Sequence, residues 1–349
     1  MCERAVGSLI AITFALFSVG QAEAQVTRTS GWTVRVAPHA DLWYHAMSIL
    51  QLPSSSALPT YDREHLRAID AAKREAGVYP TALDKKAAAI REDFVQYPSF
   101  AALHLVPGYF PDATPERMVA ALLGAVDGED AGQARPDVAL GLAIVGRLFS
   151  TSREREAFKD FVELVEEEWL TFYQSYWEQT RPAAAAMISE AQRVVDAMVE
   201  SSIGTTLVRW HLQRGTMFLS APIGTAGRIY VGDPMNPSDN VVIVRRGPLS
   251  TSATASALSL IRELCVPQMQ EAVSSFEISL LDEYEATRAW SRAAVLCGER
   301  LIEHNAPEYA QWYRDAFVET ARGMSPVEFA EVFAIDSRLD GWIDHIIGN

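Results

Sequence analysis

Apolar residues recur every three or four positions along most of this chain, and such spacing predicts amphipathic helices. Residues suited to capping a helix N-terminus, Asp62, Thr81 and Thr114, stand directly before three of these patterns. The longest pattern begins at Ser152 and carries a stripe of aromatic side chains, which is typical of a helix packed on a core. The predicted helices cover residues 38–50, 63–77, 83–96, 116–126, 138–149, 152–180, 183–201, 252–266, 276–303, 307–321, 326–333 and 339–347.

Four short segments show the pattern of β-strands instead. Residues 31–36 alternate apolar and polar side chains, and the apolar segments 216–223, 227–231 and 240–246 are separated by turns. The last three follow one another closely, so we expect them to pair as a small antiparallel β-meander. Residues 207–212 fit either a strand or the end of a helix. The predicted fold class is therefore mainly α, of the α+β type, a helical bundle with a small antiparallel β-meander.

Composition and charge narrow the classes of function. The chain has 349 residues, 49% of them hydrophobic, which is enough for one large or two ordinary domains. Its formal net charge is −15, and no local cluster of Lys and Arg offsets it. Because nothing would neutralise phosphates, we expect neither nucleic acid nor an anionic membrane surface as a partner. No repeat at the period of a solenoid is visible.

The N-terminus has the pattern of a signal peptide. Arg4 supplies a positive charge before the apolar stretch 5–20, and Ala22 and Ala24 are small residues at the positions that a signal peptidase requires. We expect cleavage after Ala24, so that residues 1–24 are removed and the protein is exported, periplasmic or extracellular. An uncleaved anchor is the alternative. No other stretch is long and apolar enough to span a membrane, which predicts no membrane association after cleavage.

The charged residues that are candidates for a functional site lie on the two long helices after the predicted meander. Arg262 and Glu263 stand on the polar side of the first helix, in the run Arg-Glu-Leu-Cys-Val. The second helix begins with acids that include Glu283 and Glu285. This order of meander, helix and second helix with a glutamate resembles the core of the gluzincins, the thermolysin-type zinc metallopeptidases. No nucleophile elbow, phosphate-binding glycine loop or Cys-x-x-Cys motif occurs elsewhere.

The resemblance implies a role for each matched position. Glu263 falls on the general base, and Glu283 or Glu285 falls near the third zinc ligand. Arg262 and Val266 stand where the two metal-binding histidines belong. Arginine cannot deprotonate and valine has no lone pair, so zinc would lose most of its ligands. The implied site is degenerate, and we expect neither a metal nor another cofactor.

A non-catalytic exported protein, a pseudoenzyme, is the function that this resemblance favours. Residues 25–205 would form a helical domain, and residues 206–349 a zincin-like domain. The helix 252–266 should pack under the meander with Glu263 facing a metal-free cleft, where an extended peptide could bind along the edge strand. The expected partner is thus a peptide or a protein. Two alternatives stay open, a hydrolase of unrecognised type that uses Glu263 and a helical scaffold or binding protein unrelated to peptidases.

Two hypotheses concern the contact between the two long helices. Arg262 could pair with Glu283 or Glu285 and link the helices that zinc would otherwise link. If Glu285 lay beside the end of the motif, Cys265 and Cys297 would be about 18 Å apart. Disulfide-bonded cysteines need Cα atoms within about 7 Å. We therefore expect two buried free thiols, and a bridge between them would exclude the gluzincin layout.

Overall fold

A computed structural model describes most of the chain. The described residues are 31–52, 58–232, 240–247, 253–276, 283–318 and 323–348. The predicted signal segment 1–24 lies outside them. Within these ranges, no helix combines the length and the apolar composition needed to cross a membrane.

The structure is mainly helical with one small sheet, which confirms that the fold is mainly α, of the α+β type. A 3₁₀ stretch covers Pro98–Tyr109, and a π turn covers Trp169–Tyr173. The helices are α1 (Pro38–Leu50), α2 (Arg63–Glu75), α3 (Ala82–Gln96), α4 (Pro115–Asp127), α5 (Pro136–Val145), α6 (Ser152–Glu168), α7 (Gln174–Thr180), α8 (Ala184–Glu200), α9 (Ser202–Arg209), α10 (Ala253–Ser275), α11 (Glu283–Asn305), α12 (Ala310–Phe317), α13 (Pro326–Val332) and α14 (Ser337–Gly348).

The sheet has four strands in the order β1, β2, β4, β3. They are β1 (Gly31–Arg35), β2 (Arg214–Ser220), β3 (Arg228–Tyr230) and β4 (Val241–Arg245). Strand β2 is parallel to both β1 and β4, and only β3 is antiparallel to its neighbour β4. The predicted antiparallel meander is therefore wrong. Strand β4 is a continuous apolar run buried on both faces, which is typical of a central strand and not of a one-sided meander.

Each face of the sheet covers its own hydrophobic core. Alternate residues such as Met217 and Leu219 on β2 face a core that contains α8 to α12. Phe218, between them, faces the second core, which α1 to α7 form. Strand β1, from the predicted helical domain, lies in the sheet, and α8 packs against α10. The chain therefore forms helical layers on both sides of one shared sheet.

The two edges of the sheet differ. At the β1 edge, the backbone N–H of Val34 donates to Gln192 Oε1 at 2.8 Å. Gln192 Nε2 in turn donates to the carbonyl of Trp32 at 2.9 Å. This glutamine of α8 thus satisfies the outward backbone groups of β1, a common way to block an edge strand. Strand β3 forms the other edge.

Helix α10 is longer than predicted. It continues through Pro267 to Ser275, whereas the proline was expected to end it. Proline removes one backbone donor and crowds the carbonyl four residues earlier, which is that of Glu263. Helix α10 packs on α8, α11, α12 and the sheet, and this burial outweighs the local cost.

Candidate functional site

Glu263 lies under the sheet, on the face that α10 covers, and it is buried, so the prediction that it faces an open cleft is wrong. Glu263 and Arg262 are each only 1% exposed. Glu263 Oε1 accepts one hydrogen bond from Arg262 Nη1 and a second from the backbone N–H of Gly227 at 3.0 Å. Gly227 directly precedes β3, so this acid ties α10 to the edge strand. A Cβ at position 227 would lie 2.8 Å from Glu263 Oε1 and 2.6 Å from the carbonyl of Ile243, which explains the glycine.

Arg262 connects α10 to α11, but not through the predicted acids. Its Nη2 donates to Ser291 Oγ at 3.0 Å, and its guanidinium lies 6.0 Å from the ring centre of Trp290. Among the described residues its ion pair is with Glu263. Glu285 is exposed and lies six residues before Ser291, about 9 Å along the helix. The predicted pairing with Glu285 is therefore wrong, and the side chain of Glu283 lies outside the described residues.

The two cysteines form a disulfide bond. Cys265 on α10 and Cys297 on α11 are bonded, with their Cα atoms 6.1 Å apart. The prediction of two free thiols is wrong, because it assumed that Glu285 lies beside the end of the motif. Twelve residues of helix separate Glu285 from Cys297, about 18 Å. The bridge therefore excludes the predicted gluzincin layout, in which Glu285 lies beside the end of the motif.

A group of polar residues around Glu263 was missed in the sequence. Tyr44 Oη donates to the carbonyl of His104 at 2.7 Å, and Tyr61 Oη lies 2.9 Å from His104 Nδ1. Arg228 Nη1 donates to the carbonyl of Gly227 at 2.7 Å. Burial, and then the charge of Arg228, lower the pKa of His104 to about 3, so this imidazole is neutral at physiological pH. These residues come from distant segments, and no local pattern marks them.

An extended segment of the chain pairs with the backbone just before β3. The N–H of Asp62 donates to the carbonyl of Pro222 at 2.9 Å, and the N–H groups of Gly224 and Ala226 donate to Thr60 and Pro59, each at 2.9 Å. Tyr61 and Ile223 form an antiparallel bridge. This pairing places residues 59–62 beside residues 222–226, in line with the edge strand.

An ion pair and a glycine fix this segment in place. Arg245, the last residue of β4, contacts the carboxylate of Asp62 at 2.8 Å. The same carboxylate caps α2. A Cβ at position 224 would collide with the carbonyl of Pro59, so the close approach of the two segments requires Gly224.

This geometry does not suit Glu263 to activate water. A general base must be within reach of the proton that it removes, and here the side chain is only 1% exposed, with a guanidinium and a backbone N–H both bonded to its Oε1. In the described part of the chain, no group of three or more His, Cys, Asp and Glu side chains could hold a metal ion. Comparisons with protein-family models, with curated proteins and with solved structures found no match to this chain.

Proposed function

We propose that this protein is an exported, non-catalytic protein that binds an extended peptide by strand addition at the edge strand β3. The observation that carries the proposal is the state of Glu263. Its carboxylate is buried, neutralised by Arg262 and bonded to the N–H that leads into β3. Glu263 therefore stabilises a binding edge and takes no part in hydrolysis.

The position of β3 at the edge of the sheet supports strand addition there. Gln192 occupies the outward backbone groups at the β1 edge. The side chains of β3 are half-buried, and Tyr230 packs edge-on against Tyr109 with ring centres 5.2 Å apart. Backbone groups in line with β3 already pair antiparallel with the chain's own residues 59–62. Strand addition uses the same kind of hydrogen bond.

The net charge indicates which kind of peptide would bind, and the disulfide bond supports export. A net charge of −15 favours a neutral or basic peptide over an acidic one. The bond between Cys265 and Cys297 favours an oxidising compartment, as does the signal pattern of residues 1–24. These features support export and a basic ligand.

The test separates binding from hydrolysis. Mature protein is titrated into fluorescein-labelled lysozyme that has been reduced and carboxyamidomethylated, which is a basic and unfolded polypeptide. We expect a saturable rise in anisotropy, slower amide exchange at residues 228–230, and no new peptide ends by mass spectrometry. Native folded lysozyme serves as the control that should not compete.

Two outcomes would overturn the proposal. One is the absence of saturable binding, or protection that falls at β1 instead of β3. The other is cleavage of the polypeptide that Glu263→Gln abolishes, because this result would identify Glu263 as the base of a hydrolase.

A further inference from the structure

The chain places an extended segment of its own beside the proposed peptide site. This segment, residues 58–62, is named the strap here. Its side chains alternate, because Leu58, Thr60 and Asp62 are buried and the two residues between them are more exposed. Such alternation is that of a strand with one face on the protein. The strap therefore contacts the protein in the way that an added peptide strand does.

The strap occupies backbone groups that lie directly before β3. It takes up the carbonyl of Pro222 and the N–H groups of Gly224 and Ala226, each at an N···O distance of 2.9 Å. Only Gly227 separates Ala226 from Arg228, the first residue of β3. The backbone that is open to a peptide at β3 therefore ends where the pairing of the strap begins.

Strand β3 is too short to hold a long peptide by itself. It has three residues, whereas strands in proteins commonly have about five or six. Backbone groups that face outward alternate along a strand, so at most two residues of β3 can offer them to a peptide. A longer peptide would also need the N–H groups of Gly224 and Ala226, which the strap already binds.

The direction of the strap brings it into competition with such a peptide. The bridge between Tyr61 and Ile223 is antiparallel, so the strap runs against the backbone that leads into β3. A peptide added antiparallel to β3 runs in the same direction as the strap and meets it at Pro59. The peptide and Pro59 cannot both accept from the N–H of Ala226, so one of them has to give way.

Displacement of the strap exchanges one set of backbone hydrogen bonds for another of the same kind. The peptide forms at Gly224 and Ala226 the bonds that the strap gives up, and it gains contact with β3 in addition. The exchange costs the contact of Tyr61 Oη with His104 Nδ1 at 2.9 Å and the burial of Leu58. The strap therefore lowers the affinity for a long peptide without preventing its binding.

We propose that the strap is an autoinhibitory strand of the peptide site, and that an extended peptide which continues past β3 displaces it. This inference rests on the function proposed above, because only a peptide bound at β3 reaches the strap. The partner that it selects is an unfolded segment of roughly five residues or more, which can pair with β3 and with the backbone that the strap covers.

A disulfide bond across the strap can hold it closed. Tyr61 and Ile223 lie opposite each other, between the backbone bonds Asp62 to Pro222 and Gly224 to Thr60. At such a position the Cα atoms of an antiparallel pair are about 4.5 Å apart, which suits a disulfide bond. The variant Tyr61→Cys/Ile223→Cys therefore gives a closed strap when oxidised and a free one when reduced.

The experiment compares peptide binding by the two forms of this mature variant. Fluorescein-labelled lysozyme, reduced and carboxyamidomethylated, is the probe, and its anisotropy is measured. We expect the oxidised form to bind about tenfold more weakly, because about two backbone hydrogen bonds to the peptide are lost. Mild reduction should restore binding. Wild-type protein given the same reductant is the control and should not change, since Cys265 and Cys297 are fully buried.

Amide exchange of the wild type gives a second measurement that needs no variant. When the peptide binds, the N–H of Asp62 should exchange faster because it loses the carbonyl of Pro222, whereas Gly224 and Ala226 should stay protected by the peptide. The autoinhibitory role is overturned if the oxidised variant binds as tightly as the reduced one, or if Asp62 stays protected in the complex. Peptide binding at β3 would survive either result, whereas a wild type that binds no peptide overturns both proposals.

Discussion

At the scale of single residues, Arg262 and Glu263 depend on each other. Both are nearly inaccessible to water, and an isolated charge in such a place is very costly. The pair is tolerated because Ser291, Gly227 and the facing charge supply hydrogen bonds to both side chains. The pair therefore has a structural role, since it holds helix α10 to the edge strand β3.

Removing one partner of this pair should be more harmful than removing both. Arg262→Met leaves the carboxylate of Glu263 buried without its cation, and we expect a loss of about 3–5 kcal/mol in the free energy of unfolding. Urea unfolding at pH 7 measures it. The double variant Arg262→Met/Glu263→Gln should recover part of the loss, because the neutral amide still accepts from Gly227. A single variant as stable as the wild type would contradict the buried pair.

Gly224 allows a second test at the residue scale. Gly224→Ala places a methyl group against the carbonyl of Pro59, which is backbone and cannot move aside without breaking the pairing of residues 59–62. We expect a loss of about 2–3 kcal/mol and faster amide exchange at residues 222–226. Gly341→Ala on α14 is the matched control, since nothing lies within 4 Å of its new Cβ. Equal effects of both changes would show that the segment does not depend on this approach.

At the scale of elements, the disulfide bond fixes how α10 and α11 pack. It joins residues 32 positions apart, and closing a loop of this length should stabilise the fold by about 3–4 kcal/mol. The double variant Cys265→Ala/Cys297→Ala should lose that amount in urea unfolding. Thiol titration of the denatured mature protein should find no free thiol. Two titratable thiols per chain would show instead that the bridge is absent.

Helices and strands that depend on local sequence patterns were predicted correctly. Helices such as α2 and α3 combine a clear apolar face with a capping Asp62 or Thr81, and both caps are present in the structure. The continuation of α10 past Pro267 was not predictable, because tertiary packing overrides the proline there. The undecided residues 207–212 include the end of α9.

The pairing of strands that are distant in the sequence could not be predicted from local patterns. Strand β1 pairs with β2 across about 180 residues of sequence, and no periodicity records that register. The contacts of the candidate site could not be predicted from local patterns either. Arg262 and Glu263 were identified by their place in a motif, but their partners Gly227 and Ser291 belong to other elements. Tyr61 and His104 contact each other only because the fold brings α1, the 3₁₀ stretch and the β3 edge together.

At the scale of the whole molecule, buried ionisable groups make the two-core architecture sensitive to acid. His39 lies against Phe218 between α1 and the sheet, and burial, then the charge of Arg35, lowers its pKa to about 4. Glu168 sits among His45 and Lys73. Burial alone would raise the pKa of Glu168, but the hydrogen bond from His45 and the charges of its neighbours lower it to about 2.

These pKa values fix the direction in which stability changes with pH. An unfolded histidine takes up its proton near pH 6.5, whereas folded His39 stays neutral down to about pH 4. As pH falls through this window, the unfolded state binds more protons and stability decreases, by roughly 3 kcal/mol for His39 alone. For Glu168 the unfolded carboxyl protonates near pH 4.5 and the folded one near pH 2, so stability decreases further over that lower range.

Urea unfolding of the wild type between pH 8 and pH 4 should therefore show a steady loss of stability below about pH 6.5. His39→Leu keeps a buried side chain of similar volume that does not titrate, so its stability should change less between pH 6.5 and pH 4. His304→Gln removes an exposed histidine from α11 and should leave the slope of the wild type unchanged. If His39→Leu lost stability as steeply as the wild type, the proton uptake would have to come from other buried groups, with His104 the next to replace.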